Sequence, residues 1–332
     1  MTLIKKLLFV ITVVAAAAAT GFGYWAGKPI VEGGEPIPFT IAPGSSGVGA
    51  MQQVAAAGVP VDPQLLSALA RVTRKSGRIK AGSYELKPGS SPMNLLDQLV
   101  RGEFAQESVR IIEGWTFRQM RAAIAATKSL RHDTAKLTDA ELMAKIAPQY
   151  KQPEGLFFPD TYLFAKGASD LQVYRQAHNM MMSHLNAAWE KRDPGLPYKT
   201  PYDALIMASI VEKETGSKAE RGMIAGVFVN RLKIGMMLQT DPAVIYGIGE
   251  HFDGDIRKKD LQKDTPYNTY LRAGLPPTPI ALPGVQSLAA ALSPERTDAL
   301  YFVSRGDGTS HFSGNLNDHN KAVNQYQRAS TP

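Results

Sequence analysis

Hydrophobic and polar positions fall into three regimes along this chain. Residues 7–25 form a run of nineteen residues without a charge; as a helix the run would be about 28 Å long, close to the apolar thickness of a bilayer. After it, short apolar runs end in turns, and each turn opens a stretch of helical period. Phe39, Ile41 and the turn Pro43-Gly44-Ser45-Ser46 precede a helix over 48–57. Tyr84, Leu86 and the turn Pro88-Gly89-Ser90-Ser91 precede a helix over 92–101, and residues 109–116 are a looser third copy before a helix over 117–126. In each copy a serine or threonine after the turn can cap the helix that follows. The alternation predicts a small α/β module.

From residue 171 the period is mostly helical. Helices are predicted over 171–191, 203–215, 220–232, 243–246, 287–292 and 316–328, with strands over 299–304 and 309–312 joined across the turn Arg305-Gly306-Asp307-Gly308. Residues 127–152 are polar and helical in parts. Residues 154–162 are dense in aromatics and read as a rigid loop. Residues 275–280 hold three prolines and must be extended, because proline removes the N–H donors that a helix needs.

The chain is organised around residues 203–215, Asp-Ala-Leu-Ile-Met-Ala-Ser-Ile-Val-Glu-Lys-Glu-Thr. Asp203 is placed to cap this helix and Gly216 to end it. At about 100° per residue the apolar positions centre on Met207, Ile210 and Val211. Glu214 lies four residues after Ile210 and three after Val211, so it continues the buried stripe; Glu212 points to the opposite side. A carboxyl at the end of a buried face loses solvation and its pKa rises, which suits a proton donor near neutral pH. Glu214 is therefore the candidate catalytic acid and Glu212 the second choice. The alternative for Glu214 is a helix-end carboxylate paired with Lys218 or Arg221.

Composition changes this picture mainly by exclusion. The chain has 332 residues, 44% hydrophobic and 20% charged, enough for an anchor and two domains. It has no cysteine, which excludes disulfides, thiol nucleophiles and cysteine–zinc sites. The net charge of +7 suits a polyanion or an anionic membrane surface. No aromatic–basic RNA motif or zinc-finger spacing accompanies it, and an export segment argues against a nucleic-acid partner. Lys5 and Lys6 precede the apolar run, which places the N-terminus in the cytoplasm and the rest outside it. Tyr24 and Trp25 sit where an interfacial aromatic belt belongs, favouring a retained anchor over a cleaved signal peptide. His311 and His319 are eight apart without a carboxylate cluster, so structural hydrogen bonding is the reading for them and for Asn320. No phosphate loop, dinucleotide fingerprint or Gly-x-Ser-x-Gly elbow is present, and no cofactor or metal is expected.

Several stretches, in order over about residues 40 to 330, resemble one family, the endolytic murein transglycosylases or YceG-like proteins. They are Glu154-Gly155-Leu156-Phe157-Phe158-Pro159-Asp160-Thr161-Tyr162, Ala208-Ser209-Ile210-Val211-Glu212-Lys213-Glu214-Thr215, Asn230-Arg231-Leu232 and Leu238-Gln239-Thr240-Asp241-Pro242. Tyr267-Asn268-Thr269-Tyr270, Gly274-Leu275-Pro276-Pro277, and His311-Phe312 with His319-Asn320 complete the match. The resemblance implies an α+β architecture. A transmembrane anchor would occupy residues 1–28, a linker 29–38, a small LysM-like α/β subdomain 39–105, and a mainly helical catalytic domain with short β elements 106–330.

It also implies cleavage of the MurNAc–GlcNAc glycosidic bond within nascent peptidoglycan strands, leaving anhydro-MurNAc ends and ending glycan elongation. The family's catalytic glutamate corresponds to Glu214. Gln239, Thr240, Asp241, Tyr267, Asn268 and Tyr270 are the expected substrate-binding residues, with turn or core roles as their alternative. The expected location is the inner membrane, single-pass, with the catalytic domain periplasmic; glycan strands, and peptidoglycan synthases where strands emerge, are the expected partners. Two other readings stay open: a glycoside hydrolase using Glu214 with Asp241 as second carboxylate, and a non-enzymatic wall-binding anchor.

Overall fold

In a computed structural model, residues 3–328 are described. The chain divides into two compact units, Met1–Glu107 with Leu163–Ala168, and Ser108–Tyr162 with Ser169–Pro332. The fold is mixed α/β, with one N-terminal apolar helix and, among the described residues, three two-stranded sheets.

The first unit opens with α1 (Leu3–Gly27), the apolar helix long enough to cross a membrane. Then come β1 (Ile37–Ile41), α2 (Gly47–Ala56), α3 (Pro63–Val72), β2 (Gly82–Leu86) and α4 (Pro92–Arg101). The turn residues expected to cap do so: Ser46 accepts from Gly49 N at α2, and Ser91 forms a capping box with Asn94 at α4. The two strand–turn–helix copies face each other, because β1 and β2 pair antiparallel with Ile37 opposite Leu86 and Ile41 opposite Gly82. Phe39 and Tyr84 are direct cross-strand neighbours whose rings stack at 5.5 Å. The unit's core is Phe39, Ile41, Met51, Val54, Leu66, Leu69, Tyr84 and Leu86 with Leu95, Leu96 and Leu99 of α4. Helix α3 was not foreseen. Its cap Asp62, with Pro63 in the first turn, is nevertheless an ordinary helix start. Residues 30 and 31 are tied down: Ile30 N donates to Ser90 O at 2.9 Å, and Val31 O accepts from Gly89 N at 2.7 Å.

Strands β3 (Gln106–Arg110) and β4 (Thr161–Ala165) form the second sheet. The second unit holds α5 (Phe117–Ala126), α6 (Asp139–Ile146), α7 (Asp170–Glu190), α8 (Pro201–Glu214), α9 (Arg221–Lys233), α10 (Asp241–Ile248), α11 (Lys258–Gln262) and α12 (Val285–Leu292). The antiparallel hairpin β5 (Tyr301–Ser304) and β6 (Ser310–Ser313) and the closing helix α13 (Leu316–Val323) follow. The expected loop at 154–162 ends in β4, whose alternating burial is short enough to be hidden by the aromatics before it. Gly155 explains part of that motif. It has φ +78°, and a Cβ there would lie 2.4 Å from Pro279.

Helix α8 is the centre of this unit. Every residue from Ala204 to Val211 is buried, so the apolar positions surround the helix instead of forming one stripe. It packs against α7, α9, α10 and α12. Its start also differs from expectation: Thr200 is the cap, Pro201 opens the helix, and Asp203 closes a capping box from the third position. Its end does not use a left-handed glycine; Thr215 leaves in extended conformation (φ −139°, ψ 134°).

Candidate active site

Glu214 is the last residue of α8. Its position puts the carboxyl where the helix leaves the core, half-buried, on the wall of an open cleft of about 760 Å³. Asp241, Tyr270, Glu220, Ser310 and His319 share that wall. Burial pushes the Glu214 carboxyl up to about 7. The Thr240 hydroxyl opposes this by donating to Oε2 at 2.8 Å; the charge of Asp241 adds to the rise, and Arg231 opposes it. Neither Lys218 nor Arg221 is bonded to Glu214.

Arg221 belongs to Glu212 instead. The two form a 2.9 Å ion pair with side chains 7% and 5% exposed, and the other Glu212 oxygen accepts from Gly284 N (3.0 Å) and Ser287 Oγ (2.7 Å). The expectation that Glu212 points away from the interior is wrong. A helix packed on every side has no outward face, so both glutamates meet protein. Glu212 has both oxygens bonded and is a lock between α8, α9 and α12.

The loop carrying the other candidates is held by its own backbone. Thr240 N donates to Thr269 Oγ1 (3.0 Å), Thr269 Oγ1 donates to Thr240 O (3.3 Å), and Gln239 N donates to Thr269 O (3.0 Å). Gln239 is left-handed at φ 50°, an unfavourable conformation for a side-chain-bearing residue; its side chain is exposed. The turn delivers Thr240 inward to Glu214 and starts α10 at Asp241. The Tyr270 hydroxyl donates to Asp241 Oδ1 at 2.5 Å, and burial followed by this bond raises the phenol's pKa.

Asn268 is different. It is fully buried, its Nδ2 donates to Leu261 O (2.9 Å) and Lys263 O (2.7 Å), and its Oδ1 accepts from Tyr270 N (2.9 Å). Its amide is used up in shaping the turn that aims Tyr270. Tyr267 donates or accepts at Thr278 Oγ1 (2.8 Å) and lines a second cleft, of about 890 Å³, with Glu154, Tyr246, Arg118 and Lys213. The six expected substrate residues therefore divide. Asp241 and Tyr270 line the cleft with Glu214, Thr240 bonds Glu214, Gln239 is exposed next to Thr240, Asn268 is buried in the turn, and Tyr267 lines the second cleft.

Two further charged groups had no assigned role. Arg231 is buried; its Nε donates to Leu300 O (2.6 Å) and its Nη1 to Leu238 O (2.7 Å), tying α9 to the residue before β5 and to the Gln239 turn. Glu154 is 5% exposed, accepts from Phe117 N (2.9 Å) and the Tyr246 hydroxyl (3.1 Å), and is pushed by burial up to about 7. The signal was present for both: a charged residue inside an otherwise apolar motif needs a partner. His319 stacks on Tyr301 at 5.1 Å, and burial followed by the charge of Arg231 lowers its pKa. His311 instead packs near Tyr326. Among the described residues no three His, Cys, Asp or Glu side chains gather as metal ligands.

What the arrangement can do chemically is exchange a proton at Glu214 near neutral pH in an open cleft. Comparison with known proteins agrees on the lineage. The model of the YceG-like family matches residues 39–325. A Bacillus subtilis protein described as an endolytic murein transglycosylase is 37% identical over 266 residues, covering 74% of this chain and 73% of its own. A Streptococcus pneumoniae protein of the same description is 28% identical over 282 residues, covering 75% of this chain and 51% of its own, so the chain spans about half the length of that relative. A crystal structure of a YceG-like protein from Listeria monocytogenes superimposes with a TM-score of 0.55 at 30% identity, covering 86% of this chain and 98% of that one. With its motifs in register over most of its length, this chain belongs to the YceG-like family.

Proposed function

We propose that this protein is a membrane-anchored endolytic lytic transglycosylase. It would cut the MurNAc–GlcNAc bond within nascent peptidoglycan strands and leave anhydro-MurNAc ends. The observation that carries the reading is Glu214, a carboxyl poised at about 7 and held by Thr240 on the wall of an open cleft. The description of the Bacillus subtilis relative supports the substrate class.

In this reading protonated Glu214 gives its proton to the glycosidic oxygen as the C1–O bond breaks, and the GlcNAc fragment leaves with a free hydroxyl. The C6 hydroxyl of the same muramic residue then bonds to C1, and its proton passes to the Glu214 carboxylate. The acid is restored, no water is consumed, and one carboxyl suffices. Asp241 and Tyr270 contact the sugar at the reacting end. Residues 39–105 form a LysM-like subdomain that holds the strand, and residues 106–330 the catalytic domain. The helix over 1–28 keeps the enzyme at the inner membrane with its catalytic domain periplasmic, where peptidoglycan synthases release new strands.

A second reading is favoured by one observation: Asp241 lines the same cleft as Glu214. A hydrolase with Asp241 as the second carboxylate would consume water. Mass spectrometry of the products made from purified glycan strands separates the two. Anhydro ends that vanish with Glu214→Gln support the transglycosylase, and reducing ends move the assignment to the hydrolase. A folded wild-type protein that cleaves nothing refutes both and leaves a wall-binding anchor, and a Glu214→Gln protein that cleaves normally takes the acid's role away from Glu214.

A further inference from the structure

The first unit does not hang from its membrane helix by a tether. The last turns of α1 are part of the unit's core: Ala26 is buried in it, and Phe22 and Trp25 pack against it. A membrane's apolar layer takes about 20 helical residues. Counted from Leu7, the first residue past Lys5 and Lys6, it ends near Ala26. Ala18, Ala19 and Phe22 then lie up to about 12 Å inside the apolar layer, at 1.5 Å per residue. Those residues share a cavity of about 790 Å³ with Ala68, Leu69, Val72 and Thr73 of and just after α3. The end of α3 is therefore carried to the membrane by the rigid end of α1.

The surface chemistry there fits that position. Val72 is 74% exposed, an expensive placement for an apolar side chain in water. Arg71 precedes it and Arg74 and Arg78 follow within six residues, all exposed, and none pairs with a carboxylate among the described residues. Lys28 directly follows Gly27, which lines the cavity. An apolar slot at acyl-chain depth, with exposed unpaired cations on the chain that forms and follows its α3 wall, is complementary to an anionic phospholipid.

We propose that the cavity between α1 and α3 binds an anionic phospholipid of the surrounding bilayer, with an acyl chain beside Ala19, Phe22 and Val72 and the phosphate among Arg71, Arg74 and Arg78. The assignment rests on the membrane-anchored reading of α1 and is independent of the chemistry at Glu214. The lipid contact would fix the first unit against the membrane surface.

The chain lacks cysteine, so single labels are simple to place. Full-length protein carrying a spin label at Val72→Cys, Val13→Cys or Thr40→Cys is placed in nanodiscs of phosphatidylcholine with or without phosphatidylglycerol. The label at residue 72 is expected to collide with oxygen and to be shielded from a water-soluble nickel chelate, as at residue 13, with residue 40 the reverse. Native mass spectrometry of the detergent-released protein is expected to retain phosphatidylglycerol over phosphatidylcholine. Each Arg→Gln change at 71, 74 or 78 should weaken that retention about fivefold. A water-exposed label at 72 beside a buried one at 13 overturns the proposal, as does equal retention of both lipids. A disulfide between two Val72→Cys chains in the nanodisc would give the cavity to a second copy and also overturns it. A water-exposed label at residue 13 instead refutes the anchor itself.

Discussion

The Thr240 hydroxyl donates a 2.8 Å hydrogen bond to Oε2 of Glu214, joining the end of α8 to the start of α10. It fixes which carboxyl oxygen is occupied in a residue that lines the cleft. It also pulls the Glu214 pKa down against burial. Thr240→Val keeps the shape and removes the bond. The pKa should rise above about 7, moving the alkaline limb of the pH–rate profile upward. Misplacement of the acid should slow product formation on the order of tenfold to a hundredfold. An unchanged profile would mean that the bond does not orient the acid.

Glu214→Gln should lower cleavage by roughly 10²–10⁴-fold, the usual worth of a positioned acid–base group, while the protein stays folded. Its stability should also change with a definite sign. A carboxyl whose folded pKa lies near 7, above the ordinary 4.5, binds more protons folded than unfolded. Stability is therefore highest at low pH and falls as pH rises from about 4.5 to 7. The variant removes that fall. Because the side chain is only half-buried, the gain at pH 8 should be about 1–2 kcal/mol, readable as a shifted denaturant midpoint.

The neighbouring glutamate shows where pattern reading ends. Period and cap chemistry placed α4 and α5 at their observed bounds, because turn residues and local apolar spacing act over a few residues. The wheel aimed Glu214 inward but put Glu212 on the outer side, since one helix's sequence does not say how many neighbours surround it. Asn268 shows a related limit: a polar residue in a polar loop reads the same whether its amide faces a ligand or, as its bonds here do, three backbone groups. Helix α3 went unseen although Asp62 and Pro63 announced it.

Glu212→Gln therefore tests structure and not chemistry. Arg221 has two buried nitrogens without partners, Nε and Nη1, and depends on Glu212 for its charge balance. Losing the carboxylate leaves a buried, unpaired guanidinium. The expected cost is about 3 kcal/mol of unfolding free energy, with cleavage by the remaining folded fraction close to normal. A variant as stable as the parent would refute the lock between α8, α9 and α12.

Asn268→Ala should act at one remove. Leu261 O and Lys263 O lose their donor and Tyr270 N its acceptor. Unfolding free energy should fall by about 2–4 kcal/mol. Tyr270 should lose its aim at Asp241, lowering kcat more than it raises KM. A pure rise in KM at unchanged stability would instead put the Asn268 amide on the substrate.

Glu154 carries the last prediction, because it is a second carboxyl pushed to about 7, and this one is buried. It bridges Phe117 N, at the start of α5, to the Tyr246 hydroxyl on α10, the helix that begins at Asp241. Glutamine resembles the protonated acid, so Glu154→Gln should leave stability at pH 5 nearly unchanged and raise it at pH 8. Alanine leaves both partners unpaired in a buried place and should cost about 2–4 kcal/mol at either pH. By the same sign as at Glu214, the stability of the parent falls between about pH 4.5 and 7 from both carboxyls. The double variant Glu154→Gln/Glu214→Gln should flatten most of that fall, and each single variant only part of it. Denaturation at pH 5 and pH 8 measures all three. If Glu154→Gln leaves the slope untouched, the carboxyl is ionised in the fold, and the Tyr246 and Phe117 bonds outweigh its burial.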